Sequence, residues 1–381
     1  MTTLHIPQLN IERFRGIRKL QLTNLGRVTL LTGKNSIGKT TILEAIQLFN
    51  SRGDDQSYYN LLMNREELVQ AIDEDGDEFQ CPDYSALFHE YLPNEEDSLT
   101  PKISIDAGRE EDKISLELVD AEDDQLKGQY FDLNAPIKAL EIKCGEFKRS
   151  RVIGEMKNGK PYISIGSGFG QRRKKNETWP EPISYQYLAP GMLSNNIIAK
   201  LWDGVVLTPE EDFALKALRL IVGEKLEQIA IVGGGFDRSR EFPITRYARS
   251  ERKVVAKLKN LYYPIPLKRL GDGAQRLLGI SLALANCQNG ILLIDEVENG
   301  IHCSLQVELW RMIFNASKKG NVQVIAATHS WDCIAGFTKA ANESDEDGSL
   351  VRLERIGEEL LDVSYSEKEL DVITKQRIEV R

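Results

Sequence analysis

No apolar run in the 381 residues approaches the roughly 20 residues that a membrane-crossing helix needs, so no membrane partner is expected. The first 17 residues hold no uninterrupted apolar core, so no signal peptide is expected. Histidine is scarce, with four residues, and the five cysteines (Cys81, Cys144, Cys287, Cys303 and Cys333) are scattered with no C-x-x-C pair. The histidines do not cluster with them, which argues against a zinc site; an odd count with apolar neighbours points to reduced, mostly buried thiols and a cytoplasmic location. A positive excess is missing too: 49 Lys and Arg face 58 Asp and Glu, a net charge of −9. That excludes a chain basic all over but leaves room for local patches, of which 148–151, 172–175 and 246–259 are the clearest. No sustained heptad, internal repeat or low-complexity tract occurs, so no long coiled coil is expected. What remains is a composition of 41% hydrophobic and 28% charged residues, with length for two or three cores.

The most informative stretch runs from 28 to 41, an apolar strand leading into Gly33, Lys34, Asn35, Ser36, Ile37, Gly38, Lys39, Thr40 and Thr41. This is the Gly-x-x-x-x-Gly-Lys-Thr phosphate loop. Its glycines let successive backbone N–H groups turn toward phosphate oxygens, Lys39 serves the β- and γ-phosphates, and the Thr40 hydroxyl is a ligand for Mg²⁺. Residues 41–50 are apolar at helical spacing, so a helix N-terminus adds positive potential at the same point. The competing reading, a glycine-rich turn that happens to contain Lys-Thr, is opposed by the strand before and the helix after.

Three further stretches extend this site. Residues 291–296, ILLIDE, predict a central strand delivering Asp295 to Mg²⁺ and Glu296 to the attacking water as general base. An ordinary acidic strand–loop junction is the bland alternative. Residues 323–330 predict another strand ending in Thr328, His329 and Ser330, which puts a histidine on the ligand edge of a parallel sheet. Gly271, Asp272 and Gly273 precede an apolar helix and form a second anion-binding end; by itself this is equally a plain turn.

Along the chain, residues 4–33 predict three strands. From 101 to 187, strands at 102–106, 113–119, 137–144, 161–166 and 182–188 predict an antiparallel lobe. The acidic stretches 71–80 and 93–99 predict exposed loops, with a short helix or turn between them at 85–92. Thr208, Pro209, Glu210 and Glu211 predict a capping box opening a helix. The expected organisation is 1–50 as the first part of an ATPase head, 51–187 as an inserted, mainly β lobe, 188–262 as a helical lobe, and 263–381 as the rest of the head.

The four site elements, in this order, resemble the ATP-binding-cassette ATPases of the SMC and RecF kind. Residues 271–285, 291–302 and 323–334 resemble in particular the OLD (overcoming lysogenization defect) group. The resemblance implies an α/β fold: an ABC-type P-loop ATPase head with an antiparallel β lobe and a helical lobe. It implies ATP and Mg²⁺ as cofactors, Lys39, Glu296 and His329 as catalytic, and Gly271, Asp272 and Gly273 as a signature that reaches the nucleotide of a second copy. It also implies that Arg15 touches nucleotide and that Gln186 senses Mg²⁺. Many relatives have Ser where Gly271 stands, which implies either that Asp272 or backbone N–H groups compensate or that turnover is slow. A Toprim nuclease domain does not fit in residues 330–381, so a Toprim-type nuclease or other effector in trans is the expected partner of a homodimer. The expected function is a nucleotide-driven switch in anti-phage defence. A RecF-like repair ATPase acting on DNA is the alternative, and a scaffold that binds ATP without useful hydrolysis is a third reading, favoured by Gly271 and opposed by Lys39, Asp295 and Glu296. A transporter ATPase is disfavoured by the lack of a Ser-bearing LSGGQ.

Overall fold

A computed structural model describes residues 4–72, 78–90, 101–109, 112–120, 137–157, 160–162, 180–233 and 252–365. The basic cluster at 172–175, the first six residues of that at 246–259 and the acidic stretch 93–99 lie outside the described residues.

A six-stranded sheet organises the site. Its order is β11 (Tyr185–Leu188), β15 (Ile291–Ile294), β16 (Gln323–Ala327), β3 (Val28–Thr32), β17 (Gly348–Ile356) and β18 (Glu359–Tyr365). The first five are mutually parallel and β18 returns antiparallel. Sequences such as VTLLT, ILLI and QVIAA are buried at every position, because a parallel sheet covered on both faces has no wet side. Alternation still sorts them. Leu30, Leu292, Ile294, Val324 and Ala326 face one core; Leu31, Ile291, Leu293, Ile325 and Ala327 face the other.

The second core lies between this sheet, helix α1 (Lys39–Asn50) and a nine-stranded sheet of order β2-β1-β6-β7-β8-β9-β10-β4-β5. Its strands are β1 (Leu9–Phe14), β2 (Ile17–Leu22), β4 (Leu68–Ile72), β5 (Glu78–Pro82), β6 (Lys102–Asp106), β7 (Ile114–Asp120), β8 (Ile137–Cys144), β9 (Phe147–Lys157) and β10 (Lys160–Tyr162). All neighbours pair antiparallel except β10 with β4. Helix α2 (Asp55–Asn64) leads into it. The expected loop at 71–80 is thus partly strand, since its two ends belong to the β4–β5 pair.

The first core is helical. It contains α3 (Asn195–Asp203), α4 (Pro209–Val222), α5 (Asp272–Ala285), α6 (Gln306–Gly320) and α7 (Trp331–Asn342), plus a small sheet of β12 (Leu226–Val232), β13 (Lys253–Leu258) and β14 (Ile265–Pro266). Pro209 does open α4, but the box is shifted. The Thr208 hydroxyl donates to the Val205 carbonyl, and Glu211 accepts the N–H of Leu207.

One placement differs from the expectation. Tyr185–Leu188, read as the last strand of the antiparallel lobe, pairs parallel with Ile291–Ile294 in the six-stranded sheet. Leu9–Phe14 and Ile17–Leu22, expected as strands, belong to the antiparallel sheet. No long coiled coil occurs among the described residues.

Candidate nucleotide site

The phosphate loop leaves β3 at its carboxyl end and wraps the start of α1. Gly33 has φ of 141°, and a Cβ there would sit 2.8 Å from the Leu353 carbonyl oxygen, so β17 packs too close for any side chain. Gly38 has φ of 120°, and a Cβ there would meet only Leu360 Cδ2 at an ordinary 3.6 Å, so its requirement is conformational. Lys34, Asn35 and Ser36 are exposed, Ile37 is anchored in the second core, and Thr41 is half-buried on the first turn of α1. The first N–H groups of α1 have no intrahelical partners and face the loop's cradle. Lys39 Nζ donates to the carbonyls of Gly33 (2.7 Å) and Lys34 (3.0 Å), which holds the charge over that cradle. Burial lowers the Lys39 pKa, and Asp295, Glu298 and Glu296 oppose the shift.

Asp295 lies just past β15, with its N–H bonded to the Leu188 carbonyl. The Thr40 hydroxyl donates to Asp295 Oδ2 at 2.6 Å, and Asp295 Oδ1 accepts the Glu296 N–H at 3.1 Å. Burial raises the Asp295 pKa, the Thr40 bond lowers it, and neighbouring Glu296 raises it again. Glu296 adopts φ of 47°, a left-handed turn that swings its carboxylate off the strand line, and Asn299 Nδ2 reaches its Oε2 at 3.3 Å. His329 stands beyond β16, half-exposed, on the same edge of the sheet.

Mg²⁺ and ATP fit this donor set. A hydroxyl and a carboxylate converge within hydrogen-bond distance, as hard oxygen ligands for Mg²⁺ must. A lysine and a helix N-terminus supply the positive potential that a triphosphate needs. A bound Mg²⁺ would neutralise charge developing on the phosphates.

Two expected residues are elsewhere. Arg15, in the β1–β2 turn, is almost fully buried and pairs with Glu44 (3.1 Å) and with Glu67. Arg65 completes the cluster by donating to Glu44 at 2.6 Å. Arg15 therefore ties α1 to the β lobe, and its charge is engaged there. Gln186 stands beside Leu292, three residues before Asp295 in register, so it lies about 10 Å below the metal edge. It also shares the face of Leu188, toward the helical core and away from α1.

The signature residues sit at the start of α5. Gly271 (φ 94°) and Asp272 are exposed, while Gly273 is half-buried. A Cβ on Gly273 would strike the carbonyl oxygen of Gly300, so the helix start and the loop after Glu296 meet backbone to backbone. No described hydrogen bond joins 271–273 to the loop at 33–41 of the same chain.

Three residues that motif reading overlooked are assembled here. Arg276, one turn into α5, is buried and donates to the carbonyls of Ala189 (2.8 Å), Glu296 (3.1 Å) and Asp295. Its signal in the sequence is a lone cation opening an otherwise apolar helix. Tyr187 lies in the field of Asp295, Glu44, Arg65 and Arg276, and burial first, then the two acids, push its phenol pKa up. Glu298, the third acid of DEVE, lies against His329.

A family model described as an AAA ATPase domain matches residues 5–178 and 236–334. Among curated proteins, the chain is 33% identical over 99 residues to an ATP/GTP phosphatase of Helicobacter pylori, covering 25% of this chain and 27% of that protein. It is 50% identical over 46 residues to protein MJECL10 of Methanocaldococcus jannaschii, 12% of this chain and 21% of that one. It is 34% identical over 92 residues to protein MJECL11 of the same organism, 24% of this chain and 81% of that one. The chain thus spans about a quarter or less of the first two relatives. Among solved structures, an SMC head bound to the C-terminal winged-helix domain of ScpA superposes with a TM-score of 0.50 at 13% identity, over 95% of this chain and 98% of that one. The chain belongs to the AAA ATPase domain family and has a fold like that of an SMC head.

Proposed function

We propose that the protein binds and hydrolyses ATP and works as a nucleotide-driven switch, in which two heads close on two ATP molecules. The supporting observation is the 2.6 Å contact of Thr40 with Asp295, which joins the phosphate loop to the acidic strand end and sets Glu296 next to it. Thr40 and Asp295 hold the metal, Lys39 and the loop amides hold the phosphates, and Glu296 takes a proton from the attacking water. The exposed signature at 271–273 favours a site completed by a second copy. Within the class, we assign the chain to the OLD-like group on its 271–285, 291–302 and 323–334 stretches. We place it in anti-phage defence, controlling a Toprim-type nuclease or other effector supplied in trans.

The test is Glu296→Gln. It should keep ATP affinity, lose phosphate release and trap a dimer seen by light scattering. A monomer in saturating ATP would overturn the dimeric switch, and unchanged phosphate release would overturn the role of Glu296.

A RecF-like action on DNA has one observation in its favour. A cleft of about 890 Å³ on the β lobe is lined by Arg13, Lys102, Lys113 and Lys143, beside Glu12 and Glu146. Against it, Lys143 and Lys148 both pair with Glu141, and Lys102 lies 4.0 Å from Glu117. DNA-stimulated hydrolysis that falls steeply with salt would favour this reading.

A further inference from the structure

We infer that Glu298 is a positioning residue for His329, fixing which ring nitrogen faces the phosphate edge; this rests on the ATPase reading above. Glu298 leaves the turn after Glu296, and the Ile301 N–H closes that turn on the Glu298 carbonyl. Its side chain is only 11% exposed. One oxygen, Oε1, accepts the backbone N–H of His329 at 3.2 Å and lies 3.4 Å from Nδ1 of the same residue. The other oxygen, Oε2, is buried with no hydrogen-bond partner. Among the described residues, the hydrogen bond and the ion pair of this carboxylate are both to His329. A buried acid attached at one point costs stability, since an unmade hydrogen bond leaves its desolvation uncompensated.

The geometry explains why it is there. One carboxylate atom bonds the backbone of His329 and lies within ion-pair distance of its ring, so it favours one ring direction relative to the strand end. With Nδ1–H directed at the carboxylate, Nε2 is the nitrogen left for the nucleotide side. The ring itself is half-exposed, open to whatever the cradle holds. Glu298 also lies in the electrostatic field of Lys39 and Arg276, which keeps an anion tolerable at this depth. The residue makes no contact with the phosphate loop among the described hydrogen bonds, so it acts through the histidine.

Two measurements test this. In steady-state hydrolysis, Glu298→Ala should lower kcat roughly 10- to 100-fold with KM for ATP within about two-fold, the scale seen for residues that orient another ligand or catalyst. Glu298→Gln, whose amide oxygen still accepts both N–H groups, should recover most of the rate. The double variant Glu298→Ala with His329→Ala should be no slower than His329→Ala alone. Losses that multiply in the double variant, or a loss confined to KM, would overturn the inference. The second measurement needs no turnover. Imidazole ¹⁵N shifts, with His329 assigned by its own variant, should show Nδ1 protonated in the neutral ring of the wild type. In Glu298→Ala the ring should shift to the Nε2–H form that free histidine prefers. The same tautomer in both proteins would overturn the inference even if the chain turns out not to hydrolyse ATP.

Discussion

The two large sheets of this head share a core yet treat their strand ends in opposite ways. In the parallel sheet every carboxyl edge near the middle carries a site residue: Gly33 to Thr40 after β3, Asp295 and Glu296 after β15, His329 after β16. In the antiparallel sheet neighbouring strands reverse, except β10 and β4, so each edge mixes carboxyl and amino ends. Its connection to the site is indirect, through the buried cluster of Arg15, Glu44, Glu67 and Arg65. Parallel pairing thus concentrates chemistry, while antiparallel pairing supplies a wall and one electrostatic anchor. The outer face of that wall is charged and solvated, as one-sided sheets allow.

That contrast can be broken at several points. The largest effect belongs to the parallel edge: Glu296→Gln should reduce phosphate release by roughly 10²–10⁴-fold, with an unchanged melting temperature. If thermal stability falls with it, Glu296 is structural. Next comes the anchor between the sheets. Glu44→Ala leaves the buried Arg15 with Glu67 alone and the more exposed Arg65 without its acid, and should cost about 1–3 kcal/mol in urea unfolding; a loss below about 1 kcal/mol would mean that the wall is not anchored there. Gly273→Ala should cost about 1–3 kcal/mol, because the new methyl meets the Gly300 carbonyl and one backbone must move. The same change at Gly271, where no atom lies within 4 Å, meets a purely conformational penalty from φ of 94°, so a melting comparison of the two separates contact from strain.

Smaller effects sharpen the picture. Asp295 has a raised pKa in the folded chain, and Mg²⁺ takes only the carboxylate form. Protons therefore compete with the metal as pH falls, and the loss of Mg²⁺-dependent ATP affinity should begin at a higher pH than an ordinary aspartate with pKa near 3.8 would give. Titration of nucleotide affinity with and without Mg²⁺ isolates this dependence. The smallest effect is expected on the outer face of the wall. Lys143→Ala removes a 2.9 Å pair with Glu141 from an exposed lysine and should change stability by less than about 0.5 kcal/mol.

The parts of this molecule that local chemistry dictates were readable from residues alone. A run such as ILLI followed by two acids has few structural homes, and the phosphate loop has one. His329 was legible for the same reason, as the residue just past an apolar strand. What escaped depends on partners distant in sequence. Nothing in YQYL shows that it pairs with ILLI a hundred residues later, and only that register places Gln186 below the metal edge. Arg15 looks available until Glu44 and Glu67 are folded against it. Arg276 and Glu298 gain meaning from the carbonyls and the imidazole they meet, which no motif contains.

The bond from Arg276 to the Glu296 carbonyl, together with the Gly273–Gly300 contact, has a consequence for timing. Helix α5 presents its tip at Asp272 and, one turn later, grips the peptide that carries Glu296, the proposed general base. If two copies close as proposed, the tip of one copy reads the ATP of the other, while its grip adjusts the acid beside its own ATP. The two pockets would then act in concert, each sensing whether the other is filled, and hydrolysis should rise more steeply than linearly with ATP at low occupancy.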